Sequence, residues 1–382
     1  MAYVGALTVV AREGSQTVPI NVTVAPQPTA DPLRLTFVYW YNWLDACKRC
    51  GLDANSAEAW RYLGALADMM RTYHQNSVVV DWGLIKAWQM PDGTLRCDFS
   101  NFDRYVKLFG EHGVDRLFCM AHVGSRTTGD WACPTMAAHT LNARRTDNGE
   151  AVPIKTLDLL PAIQAHVEQL GLLDKFCLHV ADEPIRENEA SYKALAAEVR
   201  KRAPKLRTID AIHVPDLRGS TDIMVPQLNY LQQWLDQFHA SQAAGSTLWF
   251  YIAWVPQGQF PNRMIDSFAI KPRVLHWMHP RYGTTGYLHW ALNHWSIPLT
   301  SLGSPGDQYI TWPSQRFAAN SSLRYEAERD GLEDAELMFQ LQTKLGAAKV
   351  NEMAEPAVKD FTHFTRDWTV LEQVRRALLS AL

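Results

Sequence analysis

The chain has 382 residues, 47% of them hydrophobic and 20% charged, which is enough to bury a large core and lies within the size range of one elaborated α/β barrel. Its formal net charge is -3 and its Lys and Arg are dispersed without a basic block, so the electrostatic footprint of a nucleic-acid or anionic-membrane binder is excluded. No run of about 18 uninterrupted apolar residues occurs, so no membrane span is expected, and a small or neutral partner is.

Met1 is followed by Ala-Tyr-Val-Gly-Ala with no basic stretch, so the chain as it stands reads as soluble and unsecreted, or as having lost its leader. Tyr3 to Val10 and Thr17 to Val24 read as strands around the turn Arg12-Glu13-Gly14-Ser15, followed by a Pro26-Gln27-Pro28 hinge. Two strands alone are marginal in water, so residues 1–30 are expected to pack on the rest or to be the remnant of a larger sheet.

Eight apolar, strand-like runs follow: Leu33 to Trp40, Ser77 to Trp82, Arg116 to His122, Lys175 to Ala181, Arg207 to His213, Ile223 to Gln227, Thr247 to Trp254 and Gly286 to Trp295. Helical patterns lie between them, at Ala57 to Tyr73, Phe102 to Glu111, Leu157 to Leu170, Glu187 to Lys201, Leu231 to Ala243 and Lys271 to His279. Near-continuous apolar strands joined by crossover helices predict a parallel sheet covered on both faces. Eight units, with no GxGxxG after the first strand, predict a (β/α)₈ TIM barrel over residues 31–345. Leu323 to Leu345 reads as the helix that closes it, and Glu355 to Leu382 as a further long helix in a C-terminal extension, residues 346–382.

Active sites of such barrels are built where the strands end. Here the ends are polar and aromatic: Tyr39-Trp40-Tyr41-Asn42, Asp81-Trp82, His122, Asp182-Glu183, His213, Gln227 with Asn229, Tyr251 with Trp254, and His289-Trp290 through Asn293-His294-Trp295. The chain has 14 Trp, many of them at these positions, and flat aromatic surfaces suit the apolar faces of sugar rings as well as they fill cores.

Asp182-Glu183-Pro184 is the sharpest element, because two acids sit where a buried strand breaks into its loop. One carboxyl kept protonated by poor solvation can act as general acid while the other stays ionised and stabilises positive charge. The structural alternative has both acids capping the helix that follows. A metal held by His122, His213, Asp182 and His289 is a weaker reading, since the first strand has no HxH and no HExxH occurs, so no metal and no cofactor are expected. Six Cys are present; the Cys47-Cys50 CxxC has no second half-site, and no GxSxG signals a nucleophilic Ser.

Several late segments form a recognisable set: Leu248-Trp249-Phe250-Tyr251, Pro256-Gln257-Gly258, Pro261-Asn262-Arg263, Leu275-His276-Trp277, Gly286-Tyr287-Leu288-His289-Trp290, and Arg324-Tyr325-Glu326-Ala327-Glu328-Arg329-Asp330-Gly331-Leu332-Glu333-Asp334-Ala335-Glu336. From about Val18 to about Gln342 the chain resembles the glycoside hydrolase family 123-like catalytic domain, with the first strands resembling the last piece of that family's N-terminal β-sandwich. The resemblance implies a retaining exo-β-N-acetylgalactosaminidase whose nucleophile is the substrate's own 2-acetamido group, an exception to the two-carboxylate scheme. It further implies that Glu183 protonates the leaving oxygen and later deprotonates water, while Asp182 orients the acetamido N–H.

Strand-end position adds Tyr251, Trp254, Trp290 and Trp295 as walls of a sugar pocket, with His122, His213, Asn229 and Asn293 as hydrogen-bond partners. A hydrolase for another sugar, working without acetamido help, and a catalytically silent sugar-binding barrel are the competing expectations.

Overall fold

The computed structural model describes residues 2–24, 30–300, 305–314, 316 and 318–382. The expected Pro26-Gln27-Pro28 hinge lies outside the described residues.

All eight expected runs form strands, shorter than their apolar stretches: Thr36–Tyr39, Ser77–Val80, Leu117–Met120, Phe176–His179, Arg207–Ile212, Ile223–Pro226, the interrupted Thr247–Leu248 and Phe250–Tyr251, and Gly286–His289. The second to seventh pair in chain order as one parallel sheet. The seventh turns at Trp249 and pairs through Phe250–Tyr251 with the eighth, which pairs with the first. The first and second strands meet through Asn76, whose N–H donates to the Phe37 carbonyl at 3.2 Å while its Oδ1 accepts from Phe37 N at 3.0 Å.

Period-two alternation divides the strand residues between two cores. Phe37, Phe118, Phe176, Leu178, Phe250 and Tyr287 face the helices. Val38, Cys119, Cys177, Ile209, Ala211, Val225, Trp249, Tyr251 and Leu288 form a second buried cluster on the opposite face. Gly286 is required there, because a Cβ would fall 2.2 Å from the Trp249 ring.

Helices Ala57–Thr72, Ser100–Glu111, Thr156–Gln169, Glu189–Arg202 and Lys271–Tyr282 cover the strands where helical periodicity predicts them. The expected Leu231 to Ala243 helix is broken at Trp234 into Leu228–Gln233 and Leu235–Ala243.

Helix Leu323–Leu345 packs against Lys271–Tyr282, with Gly331 at the crossing; its Cβ would stand 2.3 Å from the Arg273 carbonyl oxygen. Three residues on, Asp334 accepts from Arg273 Nε at 2.7 Å, Trp277 Nε1 at 3.1 Å and Arg375 Nε at 2.7 Å. The late acidic motif is thus a structural clasp. Glu336 takes Arg34 N at 2.8 Å, and Glu328 accepts the Tyr39 hydroxyl.

The long helix expected over Glu355 to Leu382 is not present as one element. The chain instead forms helices Ala347–Ala354 and Trp368–Ala381. Pro356 lacks an amide to continue the first helix, and Asp360 Oδ1 accepts from both Thr362 N and His363 N at 2.8 Å, which fixes a turn between them. Val350, Phe361, Leu371 and Leu378 join the core between strands and helices.

Two insertions carry sheets that the strand-and-helix alternation does not signal. Lys86–Gln89, Leu95–Asp98, Thr140–Arg145 and Ala151–Lys155 make a four-stranded sheet, and Gly124–Arg126 pairs with Met136–Ala138. The N-terminal hairpin, Ala2–Ala11 with Gly14–Thr23, is exposed at every residue and presents Tyr3, Leu7, Val9, Val18, Ile20 and Val22 on one face. No described helix is long and apolar enough to cross a membrane.

Candidate active site

The strand ends converge on a pocket of about 540 Å³ lined by Trp40, Asp182, Glu183, Ala211, Tyr251, Ala253, Trp254, Leu288, Trp290 and Asp307. That volume lies in the range of small-ligand sites. Alternation explains the floor: Val38, Ala211, Tyr251 and Leu288 point to the inner cluster, and the next inward positions, Trp40, Ala253 and Trp290, fall at the pocket.

Asp182 and Glu183 cap no helix, since the next one begins only at Glu189. The pair is stitched to its neighbours instead. Glu183 N donates to the Ala211 carbonyl at 3.2 Å, and Arg126 donates to the carbonyls of Asp182 at 3.0 Å and Glu183 at 2.8 Å. Glu183 has φ +48°, a left-handed conformation unusual for a side chain with a Cβ.

The Glu183 carboxylate accepts the Tyr251 hydroxyl proton. With that single proton committed, the Tyr251 oxygen must accept from His213 Nε2 at 2.6 Å and from Gln227 Nε2 at 3.2 Å, so His213 carries a proton on Nε2. His213 Nε2 also lies 3.4 Å from Glu183 Oε1. Burial works to raise Glu183, but the hydrogen bond and charge of His213, the Tyr251 hydroxyl and the Arg126 charge outweigh it and hold the carboxyl below its ordinary range. Asp182, its side chain half exposed to the pocket, is pushed up to about 8 by desolvation and then by the Glu183 charge, with Arg126 opposing. The two shifts run in the direction opposite to an ionised Asp182 beside a protonated Glu183. Two carboxyls this close titrate as one unit.

Beneath Asp182, His122 Nε2 stands 3.7 Å from Asp182 Oδ1 and 3.6 Å from Asp210 Oδ1, beyond hydrogen-bonding distance of both. Desolvation lowers His122 and raises Asp210, in each case favouring the neutral form. Asp210 Oδ2 accepts from the amides of Val180 and Ala181 at 3.0 Å, fixing the end of the strand that delivers the acids.

At the far wall Trp290 Nε1 donates to Asp307 Oδ2 at 2.8 Å, and His289 Nε2 lies 3.1 Å from Oδ1. Burial would raise Asp307, yet the His289 hydrogen bond, with the Arg263 charge and the Trp290 hydrogen bond, holds it low and ionised. The fully buried Arg263 secures its loop by donating to the carbonyls of Gly306, Ala291 and Asp307 at 3.1, 3.0 and 2.7 Å.

Among the residues expected from sequence, the pocket lining thus gathers Asp182, Glu183, Tyr251, Trp254 and Trp290, with His213 and His122 touching the acids from outside it. Three others lie elsewhere. Asn293 exchanges hydrogen bonds with the Asn42 backbone, accepting at 2.7 Å and donating at 3.3 Å. Trp295 is buried against Ala46, Tyr309 and Ala319 and donates to the Thr311 carbonyl at 2.8 Å. Asn229 sits in the first turn of helix Leu228–Gln233 and is not part of the lining. Asn293 and Trp295 lie where the chain has turned into the packing around Asn42 and Thr311, and Asn229 where it has entered the next helix.

Trp40, Asp307 and Arg126 were not singled out by sequence. Trp40 had the same strand-end signal as its neighbours, whereas Asp307 lies in a long loop and Arg126 in an inserted hairpin, where no periodicity points. Among the described residues no three His, Cys, Asp or Glu side chains gather as a metal site, and Cys47 and Cys50 are free.

Residues 67–341 match the sequence profile of the glycoside hydrolase 123 catalytic domain. Among solved structures, a family 123 glycoside hydrolase from Clostridium perfringens, studied for the details of glycolipid glycan hydrolysis, superposes with a TM-score of 0.75 at 14% identity, over 100% of this chain and 75% of that one. At that identity the likeness is one of fold. A family 5 glycoside hydrolase from Bacteroides vulgatus, with a TM-score of 0.42 at 12% identity over 88% of this chain and 71% of that one, is more distant and carries no argument. No curated protein matches the chain by sequence.

Proposed function

The chain belongs to the glycoside hydrolase 123 family, and from that premise we propose that it is a retaining exo-hydrolase of terminal β-linked N-acetylhexosamine, foremost N-acetylgalactosamine. We read its eight parallel strands as a closed (β/α)₈ barrel, which the Asn76–Phe37 contact and the inner apolar cluster support. The observation that carries the functional reading is the adjacent Asp182-Glu183 pair at one wall of a Trp-lined pocket of about 540 Å³.

In this mechanism Glu183 delivers its proton to the glycosidic oxygen as the C1–O bond breaks. The acetamido carbonyl oxygen forms the new bond to C1, and the Asp182 carboxylate accepts the acetamido N–H, stabilising the oxazolinium charge. Glu183, now ionised, takes a proton from water as that water attacks C1 and the oxazolinium reopens. The pair shares one proton in this mechanism: when the acetamido N–H donates to Asp182, that proton resides on Glu183. Trp40, Trp254 and Trp290 wall the sugar, and Asp307 holds Trp290 in place through its indole N–H.

Asp307 favours one competing reading, since an ionised carboxylate in the same pocket could serve as nucleophile toward a sugar without an acetamido group. Against it, both Asp307 oxygens are engaged by Trp290 and His289.

Glu183→Gln is expected to lower kcat on an aryl N-acetyl-β-galactosaminide by about 10²- to 10⁴-fold while leaving sugar binding intact. A thiazoline mimic of the oxazolinium should inhibit the wild type strongly. Indifference to it at millimolar concentration, with labelling of Asp307 by a 2-fluoro glycoside, would establish the competing mechanism; sugar binding without turnover of any aryl glycoside would establish a silent binding barrel.

A further inference from the structure

The four-stranded sheet outside the strand-and-helix repeat turns one face to the core and one to solvent. Strand pairing sets Trp88 opposite Arg144 on one side and opposite Arg96 on the other, so a single row across the sheet reads Arg144, Trp88, Arg96. Two residues earlier on the central strands, on the same face by alternation, stand Asn142 and Lys86, with Asp98 opposite Lys86. Arg144, Arg96, Lys86 and Asn142 are exposed, and Trp88 is half-buried. Strands Lys86–Gln89 and Thr140–Arg145 pair only at Arg144–Trp88 and Arg145–Gln89. Beside those pairs opens a cavity of about 280 Å³ lined by Lys86, Trp88, Asn142 and Arg144 and reaching the buried Ile154 and Leu159. Trp82 also lines it and donates Nε1 to the Ala121 and His122 carbonyls at 3.1 and 2.9 Å, which places the cavity at the rim where the second and third strands end.

The cations of this face are far apart in sequence, so no basic block announces them, and the sheet gathers them in a chain whose net charge is -3. Among the described residues no ion pair commits Lys86, Arg96 or Arg144, whereas Arg145, on the other face, pairs with Asp147 at 2.7 Å. The acids that feel these cations, Asp98 beside Lys86 and Asp92 beside Arg96, are engaged locally. Asp98 Oδ1 accepts from Ser100 N at 2.8 Å, and Asp92 Oδ1 accepts from Thr94 N at 3.0 Å and from its hydroxyl at 2.7 Å. A flat ring between two guanidinium groups, with an amide and a carboxylate in the next row, offers stacking, anion binding and acceptors for hydroxyls on one surface.

We propose that this face and its cavity form a second carbohydrate site, and that its occupant is an acidic glycan, a chain of pyranose rings bearing carboxylate or sulfate groups. One ring stacks on Trp88, its anionic groups meet Arg96, Arg144 and Lys86, and its hydroxyls donate to Asn142 and Asp98. The positive face stands without the glycoside hydrolase reading; the choice of a glycan over another polyanion rests on it. A nucleic-acid backbone presents phosphates and few donors, so Asp98 would repel it with no hydrogen bond in return.

The test measures binding by calorimetry with a chondroitin sulfate hexasaccharide whose non-reducing end is a uronate, which gives the Asp182-Glu183 pocket no terminal N-acetylhexosamine to hold. Wild type should bind it at least about tenfold more tightly than the same hexasaccharide desulfated and carboxyl-reduced, and lose that preference as ionic strength rises from about 0.05 to about 0.5 M. Arg96→Gln combined with Arg144→Gln should remove the preference, Trp88→Ala should weaken binding about tenfold, and Trp88→Phe should restore most of it. Lys349→Gln, on helix Ala347–Ala354, should change nothing. Equal affinity for the acidic and neutral hexasaccharides, or a preference that survives in the double Arg variant, overturns the site. A thymidine oligonucleotide of the same charge bound equally tightly overturns its assignment to a glycan. Acidic-glycan binding by a protein that turns over no aryl glycoside refutes the reaction and leaves this site in place.

Discussion

Glu183 occupies a left-handed backbone conformation, φ +48°, that costs of order 1–3 kcal/mol for an ordinary residue and persists only where its surroundings over-determine it. Here Arg126 holds the Asp182 and Glu183 carbonyls, and Ala211 receives the Glu183 amide. The strained turn lets two sequence neighbours face one pocket, which a regular strand forbids. Their coupling has a consequence for pH. The productive pair carries one proton, so kcat/KM should fall as pH rises through about 8, where Asp182 loses it, and fall again below the depressed Glu183 value, under the ordinary 4.5, where both are protonated. Asp182→Asn leaves Glu183 alone with its low value. Beyond a large loss of rate, its alkaline limb should move from about 8 to below 4.5, read from pH profiles of kcat/KM on an aryl substrate. An Asn variant that keeps the wild-type alkaline limb would show that the proton is not shared.

At the scale of elements, the hairpin Gly124–Arg126 with Met136–Ala138 positions the catalytic turn from outside the strand-and-helix repeat. Gly124 donates to the Val180 carbonyl at 2.9 Å, which seats the hairpin on the fourth strand and aims Arg126, two residues later, at the acids. A Cβ on Gly124 would fall 2.3 Å from the Ala137 carbonyl oxygen and 2.8 Å from Leu195 Cδ2. Gly124→Ala should therefore lift the hairpin, lower kcat about tenfold or more through loss of the Arg126 clamp, and destabilise the fold by about 1–3 kcal/mol as overpacking does. Wild-type kcat with a lowered melting temperature would remove Arg126 from the positioning of the acids. This hairpin also marks where sequence reading stops. The eight strands and most of their helices were legible because buried parallel strands are apolar runs between helical periodicities. Asp182, Glu183, Tyr251 and Trp290 were legible because they end such runs. Arg126 and Asp307 reach the site from insertions whose course depends on tertiary hydrogen bonds, and Asn293 and Trp295 share the strand-end signal but lie after the chain has turned into the packing around Asn42 and Thr311.

Across the whole molecule, stability is distributed unevenly between a cohesive body and one element outside it. Gly331 and Asp334 clasp three helices, and the apolar core runs without interruption from Leu33 to Leu378. The hairpin of Ala2–Ala11 and Gly14–Thr23 shares none of this. Its ladder is internal, every residue is exposed, and none contributes to a buried cluster. Opening it exposes almost no new apolar surface, so its opening free energy is local and small, as for an isolated hairpin. Hydrogen exchange should show its amides exchanging within minutes at any denaturant concentration below the global transition. Amides of the fourth strand, Phe176–His179, should exchange only with global unfolding. Removal of residues 1–24 should then move the melting temperature by less than about 2 °C, since no core contact is lost. Hairpin amides as slow as those of Phe176–His179, or a large drop in melting temperature on removal, would mean that in solution the face carrying Tyr3, Leu7 and Ile20 is packed against the body, and that the hairpin belongs to the cooperative unit.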